Sequence, residues 1–194
     1  MKTYIFIVLL LAFSTPRLSI SNDKNLSCVL TADNSVYKVG QIPVLKVKIF
    51  NNTKKEIYLI GSLDGSDVQW RYPHCYFSVD KPKPDTIISA RCGNMNPLTP
   101  ADFVLVKPRQ NFNPYDEAYD FFGDYTAMNK ETFRTPGVYK IKFHYSTNSE
   151  NISDFLGERT FSWDTSDSVR LAKLFKLVPR IEITSNEIEI KIEE

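Results

Sequence analysis

Glycine is scarce in this chain, with 7 among 194 residues; histidine occurs twice, cysteine three times, and neither sign of charge prevails, 24 Lys and Arg standing against 23 Asp and Glu. Each shortage removes a class of function. A formal charge of +1 leaves no surplus of cations to neutralise phosphates, so no nucleic-acid partner is expected. No glycine-rich phosphate loop, no Gly-x-Ser-x-Gly elbow and no His-Glu-x-x-His pair occurs, and only His74 and His144 can serve as imidazole bases. The expectation is therefore a protein that is not an enzyme and needs no cofactor. What the chain has instead is apolar and aromatic: 42% hydrophobic and 13% aromatic residues, enough for one real core, with 24% charged residues that exclude wholesale disorder and a polytopic membrane protein.

The start of the chain reads as a secretory signal. One lysine, Lys2, precedes the apolar run from Tyr4 to Phe13. At about 1.5 Å per residue that run spans roughly 15 Å, half of a hydrocarbon core of about 30 Å, so cleavage is the better reading than a permanent span. Cleavage after Ser21, to which a cut after Ser14 is the alternative, removes Lys2 and Arg17 and leaves a single domain over residues 22–194, with 22 basic against 23 acidic residues and a formal charge of −1. The mature chain is thus expected to be secreted or periplasmic, possessing no stable membrane span. In such a compartment Cys75 and Cys92, seventeen positions apart, are expected to form a disulfide. A loop of that size stabilises by about 3 kcal/mol in the chain-entropy account. Cys28 alternates with Leu26 and Leu30 and reads as a buried thiol, its pairing with either of the others remaining open.

Period-two patterning dominates the mature chain. Leu45, Val47 and Ile49 alternate with Lys46 and Lys48, and a turn over 51–55 leads to Glu56–Ile60, which reads as the returning strand of a hairpin. Tyr139, Ile141, Phe143 and Tyr145 alternate with Lys140, Lys142 and His144, which puts His144 on the wet face. Residues 180–183 and 187–192 flank Thr184-Ser185-Asn186 and read as a second hairpin. Further strands are expected at 26–32, 75–80, 86–90, 102–107 and 158–163. Leu171, Leu174, Phe175 and Val178 fall at helical spacing before Pro179, and Tyr115, Tyr119 and Phe122 do so in a second short segment. The whole predicts an all-β, antiparallel two-sheet sandwich with one or two short helices.

Two stretches carry a resemblance. Tyr37-Lys38-Val39-Gly40 leading into Leu45 through Thr53, and Pro136-Gly137-Val138-Tyr139, together resemble immunoglobulin-like β-sandwich modules of exported bacterial proteins. They cover under a third of the chain. The likeness implies a tyrosine at 139 whose hydroxyl packs in the corner of the sandwich, and it implies a fold rather than an activity.

Candidate sites follow from side-chain chemistry. Trp70, Arg71 and Tyr72 lie just before Cys75, and Tyr115, Tyr119 and Phe122 belong to an aromatic run interleaved with acids; both segments offer flat faces to a protein or glycan partner, or equally a packed lid. Oxygen ligands for calcium are present at Asp64 and Asp67 and at Asp116, Asp120 and Asp124, but ordinary turn and surface chemistry explains them better, and no metal is expected. The leading expectation is a non-catalytic binding, scaffold or accessory module of the cell envelope. A proteinase inhibitor presenting Asn94–Pro100 and a hydrolase using the carboxylates between Asp116 and Asp124 are the alternatives. The triplets beginning at Asn25, Asn51 and Asn151 fit glycosylation acceptors and carry little weight.

Overall fold

The computed structural model describes residues 25–61, 66, 68–82, 97–115, 130–157 and 165–194. The expected leader, the strands at 86–90 and 158–163, and the segment from Asp116 to Phe122 lie outside these residues. The described chain is mostly strand, with one α-helix.

Alternation of side chains builds the first sheet. Strand β1 (Leu26–Ala32) buries Leu26, Cys28 and Leu30 and runs antiparallel to β3 (Leu45–Asn51), which buries Val47, Ile49 and Asn51 while Lys46 and Lys48 stay wet. A two-residue strand, β7 (Asn111–Phe112), closes the far side of β3. The large sheet is built on β8 (Gly137–Ser146), with β5 (His74–Asp80) on one side and β9 (Glu182–Thr184) and β10 (Ile188–Glu193) on the other; β2 (Val36–Lys38) is its edge. Tyr139, Ile141, Phe143 and Tyr145 point inward from β8 and meet the inner face of the first sheet in one apolar cluster. Each fully buried side chain of this size contributes about 1.5–3 kcal/mol. The β2–β10 pair is parallel, a departure from the purely antiparallel expectation.

Neither expected hairpin forms. Instead of returning along β3, residues Ile57–Ile60 (β4) pair with Phe103–Val106 (β6) in a separate ribbon. The diversion is made by Asn51, which has no exposed surface. Its amide donates to the carbonyls of Lys55 (2.8 Å) and Val106 (2.9 Å) and its oxygen accepts from Thr53 N (3.0 Å) and Thr53 Oγ1 (2.7 Å), so the buried group is satisfied only when the chain turns away here. Burial also removes Asn51 as a glycan acceptor.

Around Thr184-Ser185-Asn186 the chain goes straight on. Thr184 stands opposite His144 and Ile188 opposite Ile141, so four steps on one strand match three on β8, which is a bulge. Ser185 makes the bulge possible. Its N–H donates to Phe143 O and its hydroxyl accepts Phe143 N–H, both at 2.9 Å. Asn186 is thereby turned towards β1, where its amide accepts Leu30 N–H (2.9 Å) and donates to Leu30 O (3.0 Å).

Tyr139 donates to the carbonyl of Thr135 at 2.8 Å. Gly137 before it has φ +143°, and a Cβ there would come within 2.5 Å of Pro82 Cγ, so the turn into β8 demands glycine.

A second apolar cluster lies against helix α1 (Thr165–Phe175). Leu171, Phe175 and Val178 pack there with Ile60, Leu98, Phe103, Phe155 and Leu156. Arg180 closes the helix end: its guanidinium lies 4.1 Å from the Phe175 ring centroid and donates to Val178 O at 2.6 Å. Tyr145 ties this part to the large sheet, its hydroxyl donating to Ile60 O (2.9 Å) and accepting from Ile60 N (3.0 Å). Among the described residues no helix is long and apolar enough to cross a membrane.

Candidate functional site

The segment joining β4 to β5 carries the first three candidate residues. Ser66, itself buried, gathers the loop through its carbonyl, which accepts Gln69 N–H and Cys75 N–H, both at 3.3 Å. Gln69 takes the left-handed conformation (φ 59°), uncommon for a residue with a side chain, and Tyr72 N–H donates to Asp154 O at 2.9 Å. These constraints leave Val68 44% and Trp70 41% exposed at the tip. Arg71 goes the other way and is 2% exposed. Its guanidinium carbon lies 5.3 Å from the Trp70 ring centroid, so the indole rests on a buried cation. Asp102 is close enough to feel that cation; burial raises its carboxyl above the ordinary range, against the bonds from Thr99 and the charge of Arg71, which lower it. Tyr72 is half-buried, stacked on His74 (3.9 Å, 14°) and tilted against Phe155 (5.2 Å).

Tyr115 approaches the same strand from elsewhere. Its ring stacks on Phe77 (5.5 Å) and meets Phe143 edge-on (5.6 Å), and its hydroxyl donates to Cys75 O at 2.7 Å. Cys75 on the β5 edge thus has its N–H held by Ser66 O and its carbonyl held by the Tyr115 hydroxyl. Tyr119 and Phe122 lie outside the described residues. So do Asp64, Asp67, Asp116, Asp120 and Asp124; among the described residues no three of His, Cys, Asp and Glu gather as a metal site.

Of the expected Cys75–Cys92 pair, Cys75 is a free thiol with no exposed surface and Cys92 lies outside the described residues; Cys28 is a second free, buried thiol. Burial pushes Cys28 up to about 12 and raises Cys75 far above the ordinary thiol range, where neither is a ready nucleophile.

Sequence reasoning did not assemble a second group, on the outer face of the large sheet. Strand register sets His74, Ser146 and Glu182 in one row and Tyr76, His144 and Thr184 in the next. The His144 ring stacks on Tyr76 (4.6 Å, 11°), with Nε2 2.8 Å from Ser78 Oγ and Nδ1 3.2 Å from Thr184 Oγ1. Burial lowers the pKa of both histidines, Lys142 adds to the effect at His144, and Glu182 opposes it at both. The period-two positions were legible; the pairing that joins His74 to Glu182 and Ser78 to His144 comes from register alone.

Ser78 and His144 have the separation of a nucleophile and its base. The rest of a hydrolytic site does not accompany them among the described residues. Ser78 lies mid-strand between residues laddered to β8, so no turn or helix N-terminus aims backbone N–H groups at a developing oxyanion, and Thr184 stands where a carboxylate would orient the imidazole. The Leu98 end of the candidate inhibitor loop is equally unsuited to reach a proteinase: Leu98 has no exposed surface and its N–H donates to Leu156 O at 3.3 Å.

Compared with known proteins, the chain matches no family model, and no curated protein or solved structure is significantly similar to it.

Proposed function

We propose that this chain is an exported, non-catalytic binding module of the immunoglobulin-like sandwich type, which takes a protein partner on the loop carrying Val68 and Trp70. The observation that carries the reading is the tryptophan itself: a large apolar ring 41% exposed, held on a buried guanidinium by a loop whose backbone is bonded at both ends. A rigid aromatic knob is the kind of side chain that dominates protein interfaces, because its ordering is already complete before binding. The leader-like start of the chain and its balanced charge agree with an accessory role at the cell envelope.

The test is Trp70→Ala, examined by capture from native extracts and by thermal unfolding. Capture of the partner is expected to fall at least tenfold, about 1.4 kcal/mol, with the melting temperature held within about 2 °C. Equal loss of capture and of stability would return Trp70 to a structural role, and undiminished capture would place the partner elsewhere.

A further inference from the structure

Resting on that reading, we propose that the Trp70 loop is released on acidification, with His74 as its proton-sensitive latch. Tyr72 is the hinge of the arrangement. It lies two residues from Trp70, its N–H is held by Asp154 O, and its ring is stacked on the imidazole of His74 at 3.9 Å and tilted against Phe155 of the second core at 5.2 Å. The imidazole is thus the closest ring against Tyr72 among these contacts.

The groups that face His74 decide what a proton does to it. From β9 comes the Glu182 carboxylate, which favours the imidazolium. From β8 comes Ser146, which carries no charge. Its own segment supplies the Tyr72 phenol. The Asp154 carboxylate, on the residue whose carbonyl holds Tyr72 N–H, is already occupied, accepting from Ser149 Oγ at 2.6 Å and Asn151 Nδ2 at 3.4 Å, while the Arg71 charge acts on Asp102. One row down, Lys142 acts on His144. Burial therefore outweighs the one favourable carboxylate, and the imidazole titrates below the ordinary histidine value of 6.5. Once charged, the ring gains by moving into water, and leaving the stack uncovers Tyr72 and frees the loop beyond it.

His144 is a built-in comparison. It is similarly shielded, yet its neighbours Ser78 and Thr184 are hydroxyls that rotate from donor to acceptor when both ring nitrogens become donors, so its protonation demands no departure from the stack.

The experiment needs no partner. The chain labelled with 5-fluorotryptophan is titrated from pH 7.5 to 5 by fluorine NMR, the Trp70 resonance being assigned with Trp70→Phe. A one-proton shift with a midpoint below 6.5 is expected, abolished in His74→Gln and kept in His144→Gln. In the unaltered protein the His74 Cε1–H signal should titrate with the same midpoint, which guards against a poorly folded variant. A Trp70 resonance that stays put, or one that shifts without His74, overturns the latch and leaves the binding reading standing; undiminished capture by Trp70→Ala removes the binding reading whatever the titration shows.

Discussion

Replacing Tyr145 by phenylalanine removes one oxygen atom and tests how the ribbon of β4 and β6 is attached to the large sheet. The ring itself is retained, including its edge contact with Phe112 at 6.1 Å. What goes is the hydroxyl that satisfies both Ile60 N–H and Ile60 O, and Ile60 has no exposed surface through which water might replace it. Two buried main-chain groups are left unpaired, each costing about 1–3 kcal/mol, so the loss should be about 2–6 kcal/mol. For a chain of this size, at about 2–4 °C per kcal/mol, that lowers the melting temperature by about 4–24 °C. Tyr139→Phe is the control. Its hydroxyl makes a single bond to Thr135 O in a less buried setting and should cost about 0.5–1.5 kcal/mol. Urea unfolding of the two variants beside the parent decides the matter. A Tyr145→Phe cost no greater than that of Tyr139→Phe would refute the claim that one phenol joins the two parts of the core.

Asn186→Ala should destabilise by about 1–3 kcal/mol through the orphaned N–H and C=O of Leu30, and Asn186→Asp should do no better, since a carboxylate cannot donate to Leu30 O; denaturant midpoints check both. The folded pKa of His74 and His144 is depressed, so the native chain binds fewer protons than the unfolded one; stability is complete above about 6.5 and declines as pH falls below it. Unfolding at pH 7.5 and pH 5 should show that decline, reduced in either histidine-to-glutamine variant, and a pH slope indifferent to both substitutions would contradict the assignment. In the native protein Cys28 and Cys75 should resist alkylation at pH 8, because burial holds both thiols protonated, and unfolding without reductant should release both. A peptide linking Cys75 to Cys92 would show the free thiol at 75 to be wrong.

Local pattern carried the element positions well, and pairing poorly. The strand over 26–32, the alternation of β3 and β8, and the helix stopped before Pro179 were all readable because burial on one face imposes a period on sequence. Both hairpins misled for a shared reason: Asn51 and Ser185 look like turn residues, and each also uses its side chain on a distant main-chain group, Val106 O and Phe143 N–H respectively, which directs the chain elsewhere. The site divided likewise. Trp70 was recognisable as an aromatic beside a constrained segment, but nothing in the order Trp70-Arg71-Tyr72 says that the middle residue is the buried one. The stack of His74 on Tyr72 and the contact of Tyr115 with Cys75 O depend on strands meeting across the sheet, information that composition and spacing do not contain.

The bulge at Ser185 also governs how this molecule meets its own kind. By presenting Asn186 to β1, it plugs the Leu30 peptide with an amide that imitates a neighbouring strand for one residue and then stops. A foreign segment seeking to extend the first sheet finds its central bonding position taken. The carboxamide acts as a terminator, letting β1 remain at a border without becoming a seed for open-ended growth.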